Sequence, residues 1–516
     1  MKSKYLYPLL LVALLPILIF RDFTPDNELR YLSIIDEALR NGQFFAFTNH
    51  GIPYADKPPF YFWMVMLGKW LLGYHSMWFL SMFSIIPAFV IAAMMNRWVR
   101  SEVSEENRNT ATLLLMTCGM FLGVAIVVRM DMLMCMFITL SLYTFYRMLK
   151  GEGNVRLNTY LFPVYVFMAI FSKGPVGILV PLLSTFVFLL WTRRIRTFGR
   201  YWGWKTWSIL LAGCVLWFGG VYLDGGTSYL NNLLFNQTVN RAVNSFHHVE
   251  PFYYYFISVW YSMAPWSLLL IGVIIIGIRK RLIRTDMEKL FLTVIVVTFV
   301  MLSMISSKLA VYLVPAFPFM VYLAIRMMKE FKWNRWLALS VAIPAIACCA
   351  AIPVIWILGQ DKNTVFLNRP FFYAAAGVLT IAGIISLYTL YKKKELDRSI
   401  QRLVIGIFCA VFVGGWALPS INEYMGYQEL CRKAMEISAE KGLSGYHVWR
   451  IGRPENMDVY LQEDIQKTTP SEVLSGKLQK TVLMAPVRKI QMDAEMRRYL
   501  KGKETYVVGM NQIVVL

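Results

Sequence analysis

The sequence predicts an all-α polytopic membrane protein of about 13 transmembrane helices that ends in a small α/β domain. Three observations carry this expectation. Of 516 residues, 57% are hydrophobic and only 16% charged, a balance that places the chain among membrane proteins. The apolar residues fall in runs close to the roughly 20 residues that a helix needs to cross a bilayer. Beyond residue 420 the apolarity collapses and charged residues become frequent.

Thirteen runs qualify: 5–20, 76–96, 110–128, 131–149, 157–172, 174–192, 206–223, 256–278, 290–306, 309–326, 335–358, 371–391 and 402–419. Residues 60–74 are apolar too, but the run is short and carries Lys69. A crossing there would also break the alternation of charged loops, so the expectation is an interfacial helix. The first run is followed by Arg21-Asp22 instead of a small-residue cleavage site, which predicts a retained anchor.

The net charge of +21 is not read as a nucleic-acid footprint, because its basic residues alternate by loop. Loops 193–205, 279–289, 326–335 and 392–402 are rich in Lys and Arg, whereas 224–255 holds only Arg241. With thirteen crossings the four basic loops share one side, which the positive-inside rule makes cytoplasmic. The N-terminus is then cytoplasmic and the tail periplasmic, in a multi-pass inner-membrane protein expected to act as a monomer.

The expected division is a transmembrane domain over 1–420, with a periplasmic loop at 21–75, and a periplasmic α/β domain over 421–516. Within the loop, Leu29, Leu32, Ile35, Ala38 and Leu39 recur at helical spacing and Asn41-Gly42 ends the pattern. In the tail, helix-like or strand-like runs are expected at 427–440, 446–451, 480–484, 492–499 and 504–508. The seven cysteines are scattered without metal-type spacing and read as packing thiols. His247 and His248 adjoin in sequence and lack a further ligand cluster, so no metal is expected.

The ionisable residues that do need a reason gather at the predicted outer helix ends. They are Asp26, Glu28, Arg30, Asp56 and Lys57 in the first loop, Arg129 and Asp131 in one tight turn, and Lys173 and Lys308 in two others. Each Lys alone reads as a turn residue reaching for water. Together they are the set expected to line one cavity. Glycosyl transfer from a lipid phosphate uses such a mixture: cations stabilise charge on the departing phosphate, and a carboxylate takes a proton or stabilises the cationic sugar.

Six motifs sharpen this reading: Pro25-Asp-Asn-Glu-Leu-Arg-Tyr31, Tyr54-Ala-Asp-Lys-Pro-Pro59, Val128-Arg-Met-Asp-Met-Leu133, Ser172-Lys-Gly-Pro175, His248-Val-Glu-Pro-Phe252 and Ser307-Lys-Leu-Ala-Val-Tyr312. In order and placement they resemble the polyprenyl-phosphate-dependent membrane glycosyltransferases of the GT-C class. The lipid A aminoarabinose transferase branch, related to the protein O-mannosyltransferases, is the most similar. The resemblance implies a thirteen-helix GT-C fold with juxtamembrane helices, no required cofactor, and inverting transfer from an undecaprenyl phosphate sugar. It implies Lys57 and Lys173, with Arg30, as donor-phosphate ligands and Asp131 as the carboxylate at the sugar. Asp56, Arg129, Lys308, Tyr312 and His248 are implied as further cavity residues.

The family pattern is Pro-Asp-Glu-x-Arg-Tyr, whereas here Asn27 stands where its Asp would be and Asp26 lies one place earlier. Asp26 and Glu28 are therefore rival catalytic carboxylates, with Asp26 favoured and Glu28 expected to orient Arg30. Asp56 replaces the more usual Glu before the Lys. The acceptors in play are lipid A, a protein hydroxyl and another envelope glycan. The competing class is a transporter or flippase, which would place its polar residues near mid-membrane.

Overall fold

The computed structural model describes residues 3–235, 249–361 and 364–516. Every apolar run marked above falls on a helix, or on two short helices joined end to end. Among the described residues, seven helices are long and apolar enough to cross a membrane alone, and two bent pairs raise this to nine. Tyr5–Phe20, Val176–Trp191 and Ser267–Arg279 are shorter apolar helices. The chain is thus a multi-pass helical membrane protein.

Three runs expected as single spans are broken. The first divides into α5 (Glu105–Thr117) and α6 (Gly119–Ile126), bent by 71°. At 256–278, helices Tyr254–Ser262 and Ser267–Arg279 are likewise separate, and 335–358 bends by 47° between Arg335–Cys349 and Ala351–Leu358. The first two breaks face each other. Gly119 N–H donates to the Ala264 carbonyl at 2.8 Å, and Trp266 Nε1 donates to Thr117 Oγ1 at 2.8 Å. Backbone released from a helix in a bilayer needs protein partners, and each break supplies the other's. A second polar cluster joins four segments. Asn96 Nδ2 donates to Tyr7 at 2.9 Å and Thr112 at 2.8 Å, while Tyr322 donates to Asn96 Oδ1 at 2.8 Å.

The first outer loop forms helix α2 (Glu28–Asn41), the two-residue strands β1 (Thr48–Asn49) and β2 (Ile52–Pro53), and helix α3 (Phe60–Leu72). Gly42 closes α2 at φ 67°, in the left-handed region the sequence anticipated. Leu29, Leu32 and Ile35 are buried along it, against Tyr61, Phe62 and Val65 of the α3 region. Two carboxylates shape this loop. Glu37 accepts from the Thr48 hydroxyl and from the His50 and Gly51 amides. Asp224, on helix Trp204–Asn231, accepts at one oxygen from the amides of Phe44, Phe45 and Ala46 at 2.8, 2.7 and 2.9 Å.

The tail holds a five-stranded mixed sheet in the order β4-β3-β5-β7-β6, where β3 is Tyr446–Val448, β4 Gln466–Lys467, β5 Val482–Pro486, β6 Thr505–Val508 and β7 Asn511–Val515. Helix Gln428–Lys441 packs on one face through Leu430, Ala434 and Ile437, and Val473, Met496 and Leu500 cover the other. That helix, β3, β5 and β6 fall on runs legible in the sequence, whereas β4 and β7 do not. β4 has two residues, too few to show an alternation.

Removing the Asp224 carboxylate strips three amides of their acceptor, so Asp224→Ala should cost about 1.5–3 kcal/mol of local stability. Limited proteolysis is the measurement. Cleavage between residues 42 and 55 should accelerate while cleavage in the tail sheet stays unchanged.

Candidate active site

Helices α7 (Asp131–Lys150) and α8 (Val155–Lys173) are antiparallel neighbours, so the start of α7 and the end of α8 lie at the same end of the bundle. A carboxylate suits a helix N-terminus and an ammonium a C-terminus, which is the placement of Asp131 and Lys173. The chain leaves α8 through Gly174 at φ 107°, a conformation that side-chain-bearing residues avoid. Ser-Lys-Gly-Pro is thus a turn that aims its lysine.

Asp131 is 1% exposed and held from two sides. Arg129 Nε donates to its Oδ2 at 3.0 Å, and Lys173 Nζ donates to its Oδ1. The same ammonium lies 4.5 Å from the centre of the Tyr312 ring, a cation–π contact. Asp131 in turn pushes the Arg129 pKa still higher, so the guanidinium stays charged. Lys57 pairs with Asp56 at 2.5 Å, and the Tyr54 hydroxyl approaches the same carboxylate at 3.3 Å.

Two cavities flank this cluster. The smaller, of about 260 Å³, is lined by Asp56, Lys57, Lys173 and Tyr312, with Leu179, Trp217 and Leu302 on its apolar walls. The larger, of about 770 Å³, is lined by Arg129, Asn27, Glu28, Tyr254, Tyr261 and Ser262 among others. Segment 305–312 contributes to both, with Ile305, Ser307 and Tyr312 on one side and Leu309, Ala310 and Val311 on the other. The buried Asp131 connects the arginine of one chamber to the lysine of the other.

Glu28 does not orient Arg30 as the sequence reading expected. Its two oxygens accept a fork from Arg21 at 2.6 Å each, plus the Thr24 and Val128 amides at 2.7 Å each. Burial would raise its pKa, but the Arg21 fork and the amides outweigh burial and hold it below the usual range. Such a carboxylate contributes stability above its unfolded pKa and loses it as pH falls through the folded value. Arg30 instead donates to the Asp26 backbone carbonyl at 2.6 Å, and Asp26 itself is exposed. Neither residue is among those lining the two cavities.

Lys308 is 4% exposed and donates to the Glu250 carbonyl at 2.8 Å, pinning the neighbouring loop while Ser307 and Leu309 face the chambers. His248, with His247, lies outside the described residues. Among the described residues no group of three or more His, Cys, Asp or Glu is arranged to hold a metal ion. The sequence reading missed Arg21, whose signal was an ionisable pair directly after an apolar run. It also missed Tyr254, Tyr261 and Ser262 of the larger chamber, which carry no local pattern.

Residues 56–218 match the family described as dolichyl-phosphate-mannose-protein mannosyltransferase, a stretch that includes Lys57, Arg129, Asp131 and Lys173. An undecaprenyl phosphate-alpha-4-amino-4-deoxy-L-arabinose arabinosyl transferase of Pseudomonas fluorescens (strain Pf0-1) is 22% identical over 86% of this chain and 79% of its own. The enzyme so named from Pseudomonas savastanoi pv. phaseolicola is 25% identical, over 81% and 74%. Along most of its length the chain resembles glycosyltransferases of the GT-C class. Its fold is that of ArnT from Cupriavidus metallidurans, solved bound to undecaprenyl phosphate, with a TM-score of 0.74 at 17% identity over 100% of this chain and 98% of that one. The resemblance drawn from the six motifs is borne out.

The network separates the rival carboxylates. Glu28→Gln leaves a buried guanidinium without its counter-charge and should cost about 3–5 kcal/mol, read as a fall in melting temperature. Exposed Asp26→Asn should leave both melting temperature and turnover at the wild-type values.

Proposed function

We propose that this transferase moves a sugar, with inversion, from an undecaprenyl phosphate donor to lipid A at the periplasmic face of the inner membrane. The observation that carries the reading is the Arg129–Asp131–Lys173 bridge between a chamber with apolar walls and two lysines and a larger, more polar chamber. An isoprenoid phosphate has the same two-part chemistry as the smaller chamber. The names of the relatives, and the undecaprenyl phosphate bound to ArnT from Cupriavidus metallidurans, support the same donor.

In this reading the donor phosphate lies between Lys57 and Lys173. As the anomeric carbon–oxygen bond breaks, its electron pair passes to the phosphate oxygen, and the two ammoniums stabilise the charge that develops there. An ionised phosphate oxygen of the acceptor, which has no proton to lose, enters from the Arg129 side and forms the new bond on the opposite face of the sugar. Asp131 keeps Lys173 and Arg129 charged and fixed. Its role is to place two cations, in preference to touching the sugar. The charge on the leaving phosphate is met by side chains, so the reading calls for no metal.

The same proposal includes thirteen crossings, a cytoplasmic N-terminus and a periplasmic tail. The contacts at the opposite end of the molecule support it. Asp286 receives Lys150 at 2.8 Å and Arg194 at 3.1 Å, and Arg326 reaches Glu102 at 3.0 Å, so the basic loops gather away from the chambers. Single cysteines at positions 196 and 393 in a cysteine-free background should resist an impermeant periplasmic reagent, and one at 463 should react. The reverse pattern would invert the topology.

Lys57→Ala and Lys173→Ala should each reduce turnover about 10- to 100-fold at sub-saturating donor, from the loss of about 1.5–3 kcal/mol in a charged hydrogen bond. Transfer from undecaprenyl phosphate-aminoarabinose to lipid A, followed by mass spectrometry, is the assay. Wild-type turnover in both variants would remove the clamp. Label on protein instead of lipid A would move the acceptor to the hydroxyl class suggested by the mannosyltransferase match.

A further inference from the structure

The tail sheet is tied to the chambers by a continuous set of buried polar contacts, and Asp22 is where it enters. The Tyr460 hydroxyl donates to Asp22 Oδ1 at 2.5 Å, and the Gln428 amide donates to Oδ2 at 3.0 Å. Asn422 accepts from the Asp22 amide at 3.1 Å and donates to the Phe20 carbonyl at 2.7 Å. Gly426 packs so closely that a Cβ there would lie 1.8 Å from Asp22 Oδ2. Such an approach requires glycine.

On its other side, the Asp22 carbonyl accepts from Arg21 Nη1 at 3.1 Å. Arg21 also grips Glu28 and reaches the Ile126 carbonyl at 3.3 Å. Glu28 holds the Val128 amide, and the Ser84 hydroxyl donates to the Val127 carbonyl at 2.6 Å. Val128 is followed directly by Arg129, which donates to Asp131. Arg21, Asp22 and Glu28 are all buried, so these bonds are not exchanged with water.

We propose that Asp22 is a positioning residue through which the tail domain fixes the turn carrying Arg129, making that domain part of the catalytic unit. The inference rests on the functional reading above. It sets Asp22 apart from Lys57 and Lys173, which belong to the other chamber. Tail docking has further anchors: Asn456 donates to the Pro25 carbonyl at 3.0 Å, and Ser33 donates to Asp458 at 2.9 Å. Loss of one contact at Asp22 therefore loosens the turn without releasing the domain.

The test uses full-length protein in nanodiscs with undecaprenyl phosphate-aminoarabinose and lipid A. Tyr460→Phe should lower kcat about tenfold and leave the donor KM unchanged, because a small misplacement at the reacting centre costs rate before it costs donor binding. In an Arg129→Lys background Tyr460→Phe should add nothing, whereas in a Lys57→Ala background the two losses should multiply. Asp22→Asn is the second variant and should repeat this pattern if Tyr460→Phe does not accumulate. An unchanged kcat, or multiplication in both backgrounds, overturns the proposal. Failure of the functional reading has a different signature: Lys57→Ala and Arg129→Lys would both turn over like wild type, and the inference would fall with it.

Discussion

The ion cluster at Asp131 is the constraint to which the outer half of this molecule answers. A carboxylate that is 1% exposed must be paired, and here it is paired twice, by Arg129 from its own turn and Lys173 from the neighbouring helix. Those contacts fix the ends of α7 and α8 relative to each other. They also hold two positive charges at the border of two chambers. Tyr312 covers the ammonium from the third side, so segment 305–312 is drawn into the same arrangement.

The breaks in the helices serve this geometry. A helix running straight through 110–128 would carry its last residues away from the bundle, whereas the 71° bend sends α6 toward the turn at 127–130. The bend exposes backbone polar groups, and the second break at 263–266 receives them. The larger chamber takes lining residues from both broken regions, including Gly119, Gly123, Tyr261 and Ser262. Non-helical backbone at this depth is stable because it is enclosed by protein and lines a cavity.

The outer loop and the tail are ordered by charges that act as fasteners. Glu37 folds the β1–β2 turn, Asp224 pins residues 44–46, Glu28 gathers Arg21 and two amides, and Asp22 receives the tail. Composition alone would mark these four carboxylates for chemistry, yet each is engaged by backbone, hydroxyl or guanidinium donors. The chamber walls are built by residues that these fasteners hold in place.

Local information determined the helices: apolar run length marked the membrane helices though not their breaks, Gly42 and Gly174 marked two exits, and the Lys-containing motifs located Lys57 and Lys173. It also separated the tail, where charged and apolar residues interleave. Partner choice was not legible. Glu28 lies two residues from Arg30 and seven from Arg21, and only the folded path from helix Ser3–Phe20 into α2 brings the more distant guanidinium onto it. Asp26 and Asn27 are adjacent in sequence, but the start of α2 turns Asn27 toward the larger chamber and leaves Asp26 exposed. Asp224 and Tyr460 have no pattern around them because their partners are 178 and 438 positions away. Sequence periodicity reports which face a residue occupies within its own element, whereas pairing between elements depends on how those elements pack, and that was decided only by the tertiary structure.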